Sequence, residues 1–382
     1  MRKIIILIGI FLGLQACKDK SEPGVTVKKE TKGWAYTHFE KADSLNPVLS
    51  PSDTLRFTCP IEKREIRWEE RNVLNPSAVV KDNKVYLFYR AQDKNGTSRI
   101  GMAVSADGLH FKKSAQPVFY PGNDSMKVYE WNYKKAMANP KDEDCYFCYF
   151  DGVEDPRIVE SEDGRYMMTY TAYDGKTARL SLASSRDLKT WTKHGLVLQD
   201  EKYRDLWSKS GAIVSRREGN RIIATKVNGK YWMYFGDTDI FLATSDDLIH
   251  WKAAVNEESG KMISVLHPRP GYFDSRLVEP GPYALLKEEG IWLIYNGSNA
   301  ANFNDPELPK FTYAAGQALF DKENPFKLIN RTPGYFIHPD KPYEKVGEVN
   351  EVCFVEGLVY FEDRWFLYYG TADSKIAVAV GN

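Results

Sequence analysis

The sequence predicts an all-β chain folded as a five-bladed β-propeller, and three recurring patterns predict it. An aromatic-rich run occurs five times: Val85-Tyr-Leu-Phe-Tyr89, Tyr166-Met-Met-Thr-Tyr170, Tyr231-Trp-Met-Tyr-Phe235, Ile291-Trp-Leu-Ile-Tyr295 and Trp365-Phe-Leu-Tyr-Tyr369. Turn residues stand before each run: Asp82-Asn83, Asp163-Gly164, Asn228-Gly229, Glu289-Gly290 and Glu362-Asp363. Three heptads, Ser105-Ala-Asp-Gly-Leu-His-Phe111, Ser185-Arg-Asp-Leu-Lys-Thr-Trp191 and Ser245-Asp-Asp-Leu-Ile-His-Trp251, place an Asp two residues after a Ser and an aromatic four further on.

Aromatic and β-branched residues fit a pleated surface, and short turns join antiparallel strands. Each heptad follows another strand-like run, at 100–104, 180–183 and 240–244. The unit is therefore strand, turn, strand, loop, strand, five times over, and radial repetition of such units protects their edges. Two longer insertions, about 117–151 and 298–311, are expected to frame one mouth of a central pocket.

Composition agrees with a packed, neutral domain. Of 382 residues, 43% are hydrophobic and 27% charged, with 52 basic and 52 acidic side chains. That balance speaks against nucleic-acid binding, which needs a basic excess, and the apolar share speaks against disorder. Aromatics make up 13% of the chain; such rings serve strands, and they also serve as platforms for sugars.

The first residues read as an address. Met1-Arg2-Lys3 precedes an apolar stretch from Ile4 to Leu14, which as a helix covers only about 16 Å, too short to span a bilayer. Leu14-Gln15-Ala16-Cys17 resembles the bacterial lipobox, with Gln15 bulkier than usual. A lipoprotein signal peptide at 1–16, a lipidated Cys17 with a polar tether to 33, and one domain at 34–382 follow, lipid-anchored at a bacterial cell envelope. Among the other cysteines, Cys145-Tyr-Phe-Cys148 has no second pair or His to complete a zinc site. A local disulfide and free thiols both stay open, as no chemistry is assigned there. With 6 His and no ligand spacing, neither metal nor cofactor is expected.

In a propeller the inner strands meet at the axis, so polar groups at their starts face one funnel. Those starts are Asn75-Pro-Ser77, Glu154-Asp-Pro-Arg157, Ser208-Lys-Ser-Gly211, Val278-Glu-Pro-Gly281 and Asn350-Glu-Val352. An Asp, a Lys and a Glu brought together there suit acid–base cleavage of a glycosidic bond.

At these residues the chain resembles glycoside hydrolase family 130, the mannoside phosphorylases and β-mannosidases, from about Asn75 to Val380. Gly152-Val-Glu-Asp-Pro-Arg157, Tyr89-Arg-Ala91 and Tyr369-Gly-Thr-Ala-Asp373 carry the resemblance. It implies that Asp155 is the proton donor, through a sugar hydroxyl in some members, and that Asn75, Arg90 and Asp373 hold the non-reducing mannose. Ser77, Glu154, Arg157, Lys209 and Asn296 complete the expected sugar-binding set. Phosphorylase members hold phosphate with a basic cluster in the strand matching 231–237 and with a Tyr-His-Gly in the fourth blade. Here stand Tyr231-Trp-Met-Tyr-Phe-Gly-Asp237 and Tyr295-Asn-Gly297, and only Lys209 remains of that cluster. Phosphate needs charge-assisted partners, whereas carboxylates suit activation of water.

The expected general base is Glu279, with Asp237 as the alternative; Glu351 and Glu356 are left to hydroxyl binding or structure. The reading is an inverting exo-acting β-mannoside hydrolase on a mannose-containing oligosaccharide, with β-1,2 links implied by the resemblance. The alternatives are a phosphorylase of β-1,4-mannosyl-N-acetylglucosamine or manno-oligosaccharides, and a catalytically dead glycan-binding lipoprotein. Most aromatic rings are assigned to the blades, with Trp131 and Tyr272 left to stack on sugar.

Overall fold

The computed structural model describes residues 33–36, 38–135 and 150–381. The signal peptide, Cys17, the tether to residue 32 and the Cys145/Cys148 pair lie outside the described residues. Within them the chain is almost entirely strand and loop, and each of its three helices, Lys127–Glu130, Glu201–Arg204 and Pro342–Lys345, is 4 residues long.

The strands pair antiparallel in sequence-local units. Asn72–Lys81, Lys84–Gln92, Thr97–Ser105 and Lys112–Lys113 make the first. Asp151–Glu160, Tyr166–Tyr173, Ala178–Ser185 and Thr192–Leu196 make the second. Ala212–Glu218, Lys230–Phe235, Ile240–Ser245 and Trp251–Ala253 make the third. In the fourth, Leu277–Pro280 and Ala284–Leu286 share the first position, before Ile291–Ser298, Tyr313–Phe320 and Leu328–Arg331. Cys353–Phe361, Arg364–Thr371 and Lys375–Gly381 make the fifth, and its outer strand is Phe39–Lys41, paired from Phe39↔Gly381 to Lys41↔Ala379. The start of the fold is thus sewn to its end.

Local sequence accounts for the hairpins. Asp82-Asn83, Asn228-Gly229 and Glu362-Asp363 have positive φ at both positions (49° and 53°, 51° and 79°, 47° and 58°), as two-residue hairpins with the right twist require. The heptads are loop caps: Asp107, Asp187 and Asp247 each accept the hydroxyl of the Ser two residues earlier and two backbone N–H groups.

Neighbouring units touch in turn. Ile158 N donates to Ser77 Oγ at 3.1 Å, and Thr169 Oγ1 to Gly211 O at 2.7 Å. Val214 pairs in parallel with Ala284. Between the fourth and fifth units, a Cβ on Gly281 would meet Val355 O at 3.0 Å. From the fifth back to the first, a Cβ on Gly357 would meet Pro76 O at 2.9 Å. Backbones this close leave no room for a larger residue.

The recurring aromatic run ends in Tyr in four units, and each of these tyrosines does the same thing. Tyr89, Tyr170, Tyr295 and Tyr369 donate to Glu69, Glu130, Asp274 and Glu344 at 2.8, 2.8, 2.7 and 2.8 Å. All four carboxylates have no exposed side-chain surface, and each pairs with a cation from its unit's outer strand: Lys113, Lys193, Arg331 and Lys41. Each carboxylate comes from the connector that leads into its unit, so the triad pins connector, second strand and outer strand together. The third unit has Phe235 at the matching place and no such triad.

Burial pushes the Glu130 carboxyl up to about 7, with Lys193 opposing the rise. Lys193→Met removes that opposition, so Glu130 titrates higher still. At pH 5 the carboxyl is neutral with or without the lysine and the cost is small. At pH 8 the variant must either bury an unpaired carboxylate or take a proton from a solution poor in them, while the wild type keeps its ion pair, a difference of about 3 kcal/mol. The melting temperature should therefore drop markedly more at pH 8 than at pH 5, and equal drops in a thermal-unfolding series at both pH values would contradict the triad account.

Candidate active site

Three of the first strands break register where they carry a polar residue. The shifts fall between Leu74 and Pro76, between Glu154 and Arg157, and between Val355 and Gly357. The residues bulged out are Asn75, Asp155 with Pro156, and Glu356. Asn75 and Asp155 have φ of 47° and 49°, a region that costs a non-glycine residue about 1 kcal/mol and often marks function. A bulge re-aims its side chain, and the following Pro76 or Pro156 has no N–H to lose from the ladder. Glu279 also precedes a proline, at the end of Leu277–Pro280.

Asp155 is buried at the centre of the group. Its Oδ1 accepts from Asn75 Nδ2 at 2.9 Å and from Arg90 Nη1 at 3.4 Å, and Lys209 Nζ lies 3.2 Å from its Oδ2. Burial works to raise this carboxyl, but Lys209 and Arg90 outweigh it and hold Asp155 below the usual carboxylate range. Arg90 also donates to Glu154 Oε1 at 2.7 Å and to Ser98 Oγ at 3.0 Å. Glu154 is raised, chiefly by burial. Asp373 is pushed up to about 6 by burial, with Arg90 opposing and Asp155 adding to the rise.

Across from these, Glu279 accepts the Ser210 hydroxyl. Burial pushes it up to about 7, against the pull of Lys209 and with the help of the Asp237 charge. Asp237 lines a cleft of ≈ 490 Å³ with Trp207, Thr238, Arg276 and Tyr313, and accepts the Trp207 indole N–H. In the empty site Glu279 is thus the carboxyl raised toward holding a proton and Asp155 the one held ionised, the reverse of the acid and base roles that the sequence leads one to expect. Lys209 is raised by Asp155, Glu279, Glu154 and Asp237 together, against its own burial, and so stays charged.

Asn75, Arg90, Glu154, Asp155, Lys209, Glu279 and Asp373 therefore share one electrostatic neighbourhood, as the sequence predicts. Three others of the expected sugar-binding set are occupied by the protein. Arg157 donates to Gly281 O at 2.6 Å and Pro280 O at 2.8 Å, and meets Glu356 at 3.0 Å. It clamps the backbone just after Glu279 to the strand that carries Asp155. Asn296 exchanges hydrogen bonds with the Val355 backbone at 3.0 and 2.8 Å, and Ser77 caps Ile158 N. These three are links between units rather than free hands for a ligand.

The carboxyl that the fifth unit brings to this buried group is Glu356, not the strand-start Glu351, because the bulge falls five residues later. Glu356 is fully buried, and burial pushes it well above the usual carboxylate range despite Arg157. Of the aromatic candidates, Tyr272 has Arg269 over its ring at 4.4 Å, and Lys135 lies over Trp131 at 5.8 Å. The cleft beside Asp237 is lined by Trp207, Phe235, Phe241 and Tyr313 instead, and no repeat or motif signals Trp207.

The proton on Glu279 is directly observable. Carbon-13 NMR of glutamate-labelled protein should show a carboxyl titrating near pH 7 that Glu279→Gln removes. In Asp237→Asn a negative neighbour is gone, the ionised form is favoured, and that titration should move to lower pH. No movement would contradict the coupling.

Comparison with known proteins gives this geometry a family. A family model described as beta-1,4-mannooligosaccharide phosphorylase matches residues 41–382. A 1,2-beta-oligomannan phosphorylase of Thermoanaerobacter sp. (strain X514) is 31% identical over 345 residues, covering 87% of this chain and 94% of that protein. A solved structure of a glycosyl hydrolase from Bacteroides ovatus is 44% identical, with TM-score 0.83 over 91% of this chain and 94% of the other. Another, 42% identical with TM-score 0.84 over 91% and 95%, is described in the words "The GH130 family of mannoside phosphorylases contains glycoside hydrolases that target beta-1,2 mannosidic linkages in Candida mannan". The chain belongs to glycoside hydrolase family 130.

Proposed function

We propose that this chain is an inverting, exo-acting β-mannoside hydrolase of β-1,2-linked mannosides, carried on a five-bladed propeller at 34–382 and held at a bacterial cell envelope by a lipid on Cys17. The propeller reading rests on the five antiparallel units that touch in sequence, the fifth returning to the first. The anchor rests on Leu14-Gln-Ala-Cys17.

The single observation that carries hydrolysis is the pair of carboxyls, Glu279 and Asp237, on the side of the site where a phosphorylase needs cations. Lys209, on which both their charges act, is already paired with Asp155 at 3.2 Å. A phosphate dianion would meet two carboxylates there, while a water molecule would meet a base. The relative whose description names β-1,2 mannosidic linkages supports the linkage.

In this mechanism a water oxygen attacks C1 of the terminal mannose and gives its proton to Glu279. The C1–oxygen bond breaks, its electron pair stays on the leaving sugar, and that oxygen takes a proton that originates on Asp155. Asp155 is anionic in the empty site because Lys209 and Arg90 hold it so. A mannose hydroxyl entering between Lys209 and Asp155 separates that pair and removes water, both of which raise Asp155 and let it take up a proton with the substrate. The same hydroxyl can relay the proton outward.

A second reading, phosphorolysis, is favoured by Arg276 in the cleft wall and by the phosphorylase relative. Incubation of β-1,2-mannobiose with and without inorganic phosphate separates the two. Hydrolysis predicts mannose in both cases at equal rates, and Asp155→Asn should lower that rate by at least about 100-fold. Phosphate-dependent turnover yielding mannose 1-phosphate would replace this reading with the second one.

A further inference from the structure

We propose that Lys209 and Ser210 are positioning residues that link the two proposed catalytic carboxyls, so that substrate entry passes the proton held by Glu279 to Asp155. This rests on the hydrolase reading and names the source of the acid proton.

The two residues are consecutive, and each serves one carboxyl. Lys209 Nζ lies 3.2 Å from Asp155 Oδ2, and the Ser210 hydroxyl donates to Glu279 Oε1. Consecutive side chains of an extended strand point to opposite faces. Ser210 breaks that alternation: it is buried, with a φ of 59° in the left-handed region that a non-glycine residue rarely adopts. Such strain persists where the surroundings hold it, and it clusters at active sites. Here the Lys209 carbonyl accepts from Gly236 N at 2.9 Å, next to Asp237 in the chain. A single step of chain thus ties the proposed acid to the proposed base.

The charges around the pair decide where the proton sits. Asp155 is faced by Lys209, Arg90, Arg157 and the Asn75 amide, and by Glu154 and Asp373; in the empty site it is ionised. Glu279 is faced by Lys209, Arg157, Asp237, Tyr313 and Ser210, and burial lifts it to about 7, so below that pH it holds a proton. Both carboxyls act on Glu356. Hydrolysis needs the opposite distribution, a proton on Asp155 and none on Glu279. A mannose hydroxyl that enters between Lys209 and Asp155 takes from Asp155 its ammonium. The lysine stem is flexible, and after Asp155 the carboxyl that acts on it most strongly is Glu279. The cation therefore favours ionised Glu279 as it ceases to favour ionised Asp155. One O–H bond breaks on Glu279 and one forms on Asp155. The buried group keeps its number of protons, so no net charge has to enter it from water.

The test counts protons and follows one limb of a pH profile. The sulfur-linked analogue of β-1,2-mannobiose fills the site without being cleaved, and its binding enthalpy at pH 6 in buffers of different ionisation enthalpy gives the protons taken from solvent. The native enzyme should take up about none, and Glu279→Gln, with no proton to pass on, about one. Equal uptake by the two proteins, or release of a proton by the native enzyme, would overturn the transfer. Because the active pair carries a single proton, kcat/KM on β-1,2-mannobiose should fall as pH rises through the Glu279 titration at about 7. Ser210→Gly adopts the left-handed φ freely and loses only the hydroxyl, so the melting temperature should hold. Glu279 then loses a donor to its ionised form and keeps its proton to higher pH, and that alkaline limb should move up. An unmoved alkaline limb, or a shift of the acid limb in its place, would overturn the part given to Ser210. If the native enzyme cleaved β-1,2-mannobiose only with phosphate, the hydrolase reading itself would fall, a result on which the proton count does not depend.

Discussion

The number of charges brought to one buried place is what the site must satisfy. Glu154, Asp155, Glu279, Glu356 and Asp373 meet Arg90, Arg157 and Lys209. Five carboxyls against three cations cannot all ionise out of water, so protons must be shared among them. The geometry chooses where. Asp155, with Lys209 and Arg90 on its oxygens, keeps its charge. Glu279, with a serine hydroxyl, and Glu356, with one arginine, are pushed upward, as are Glu154 and Asp373. In the empty site the proton therefore rests on the Glu279 side and Asp155 is ionised, so the proposed roles require the substrate to raise Asp155 as it enters.

Arg157 keeps these groups in register. It sits two residues after Asp155 and holds the carbonyls of the two residues that follow Glu279. Because a guanidinium is a rigid planar fork, the separation of the proposed acid and base is fixed by one side chain rather than by two independent strands. The outer triads do the complementary work at the rim: Tyr89, Tyr170, Tyr295 and Tyr369 tie the connectors down, and Lys41 brings the first strand onto the last unit.

Much of this was legible in the sequence, and the remainder was not for a physical reason. The aromatic runs, turns and heptads announce strands because strand periodicity and turn chemistry are local. The polar-Pro steps Asn75-Pro76, Asp155-Pro156 and Glu279-Pro280 mark the buried charged group for the same reason. Ser77, Arg157 and Asn296 share that neighbourhood, yet their partners lie 81, 124 and 59 residues away, and no local pattern announces such a partner. Sequence alone leaves Glu351 and Glu356 undivided, because the bulge that brings Glu356 to the buried group shifts register by one residue without a distinct motif in Phe354-Val-Glu-Gly357. Trp207 stands alone in a connector, where only tertiary contacts with Asp237 and Tyr173 distinguish it.

Direct attack by water at Glu279 has a stereochemical consequence that depends on no assignment of individual residues. Water entering opposite the leaving oxygen inverts C1, so proton NMR of the first turnovers of β-1,2-mannobiose in phosphate buffer should show α-mannose before it equilibrates. First-formed β-mannose, or mannose 1-phosphate in its place, would contradict the account.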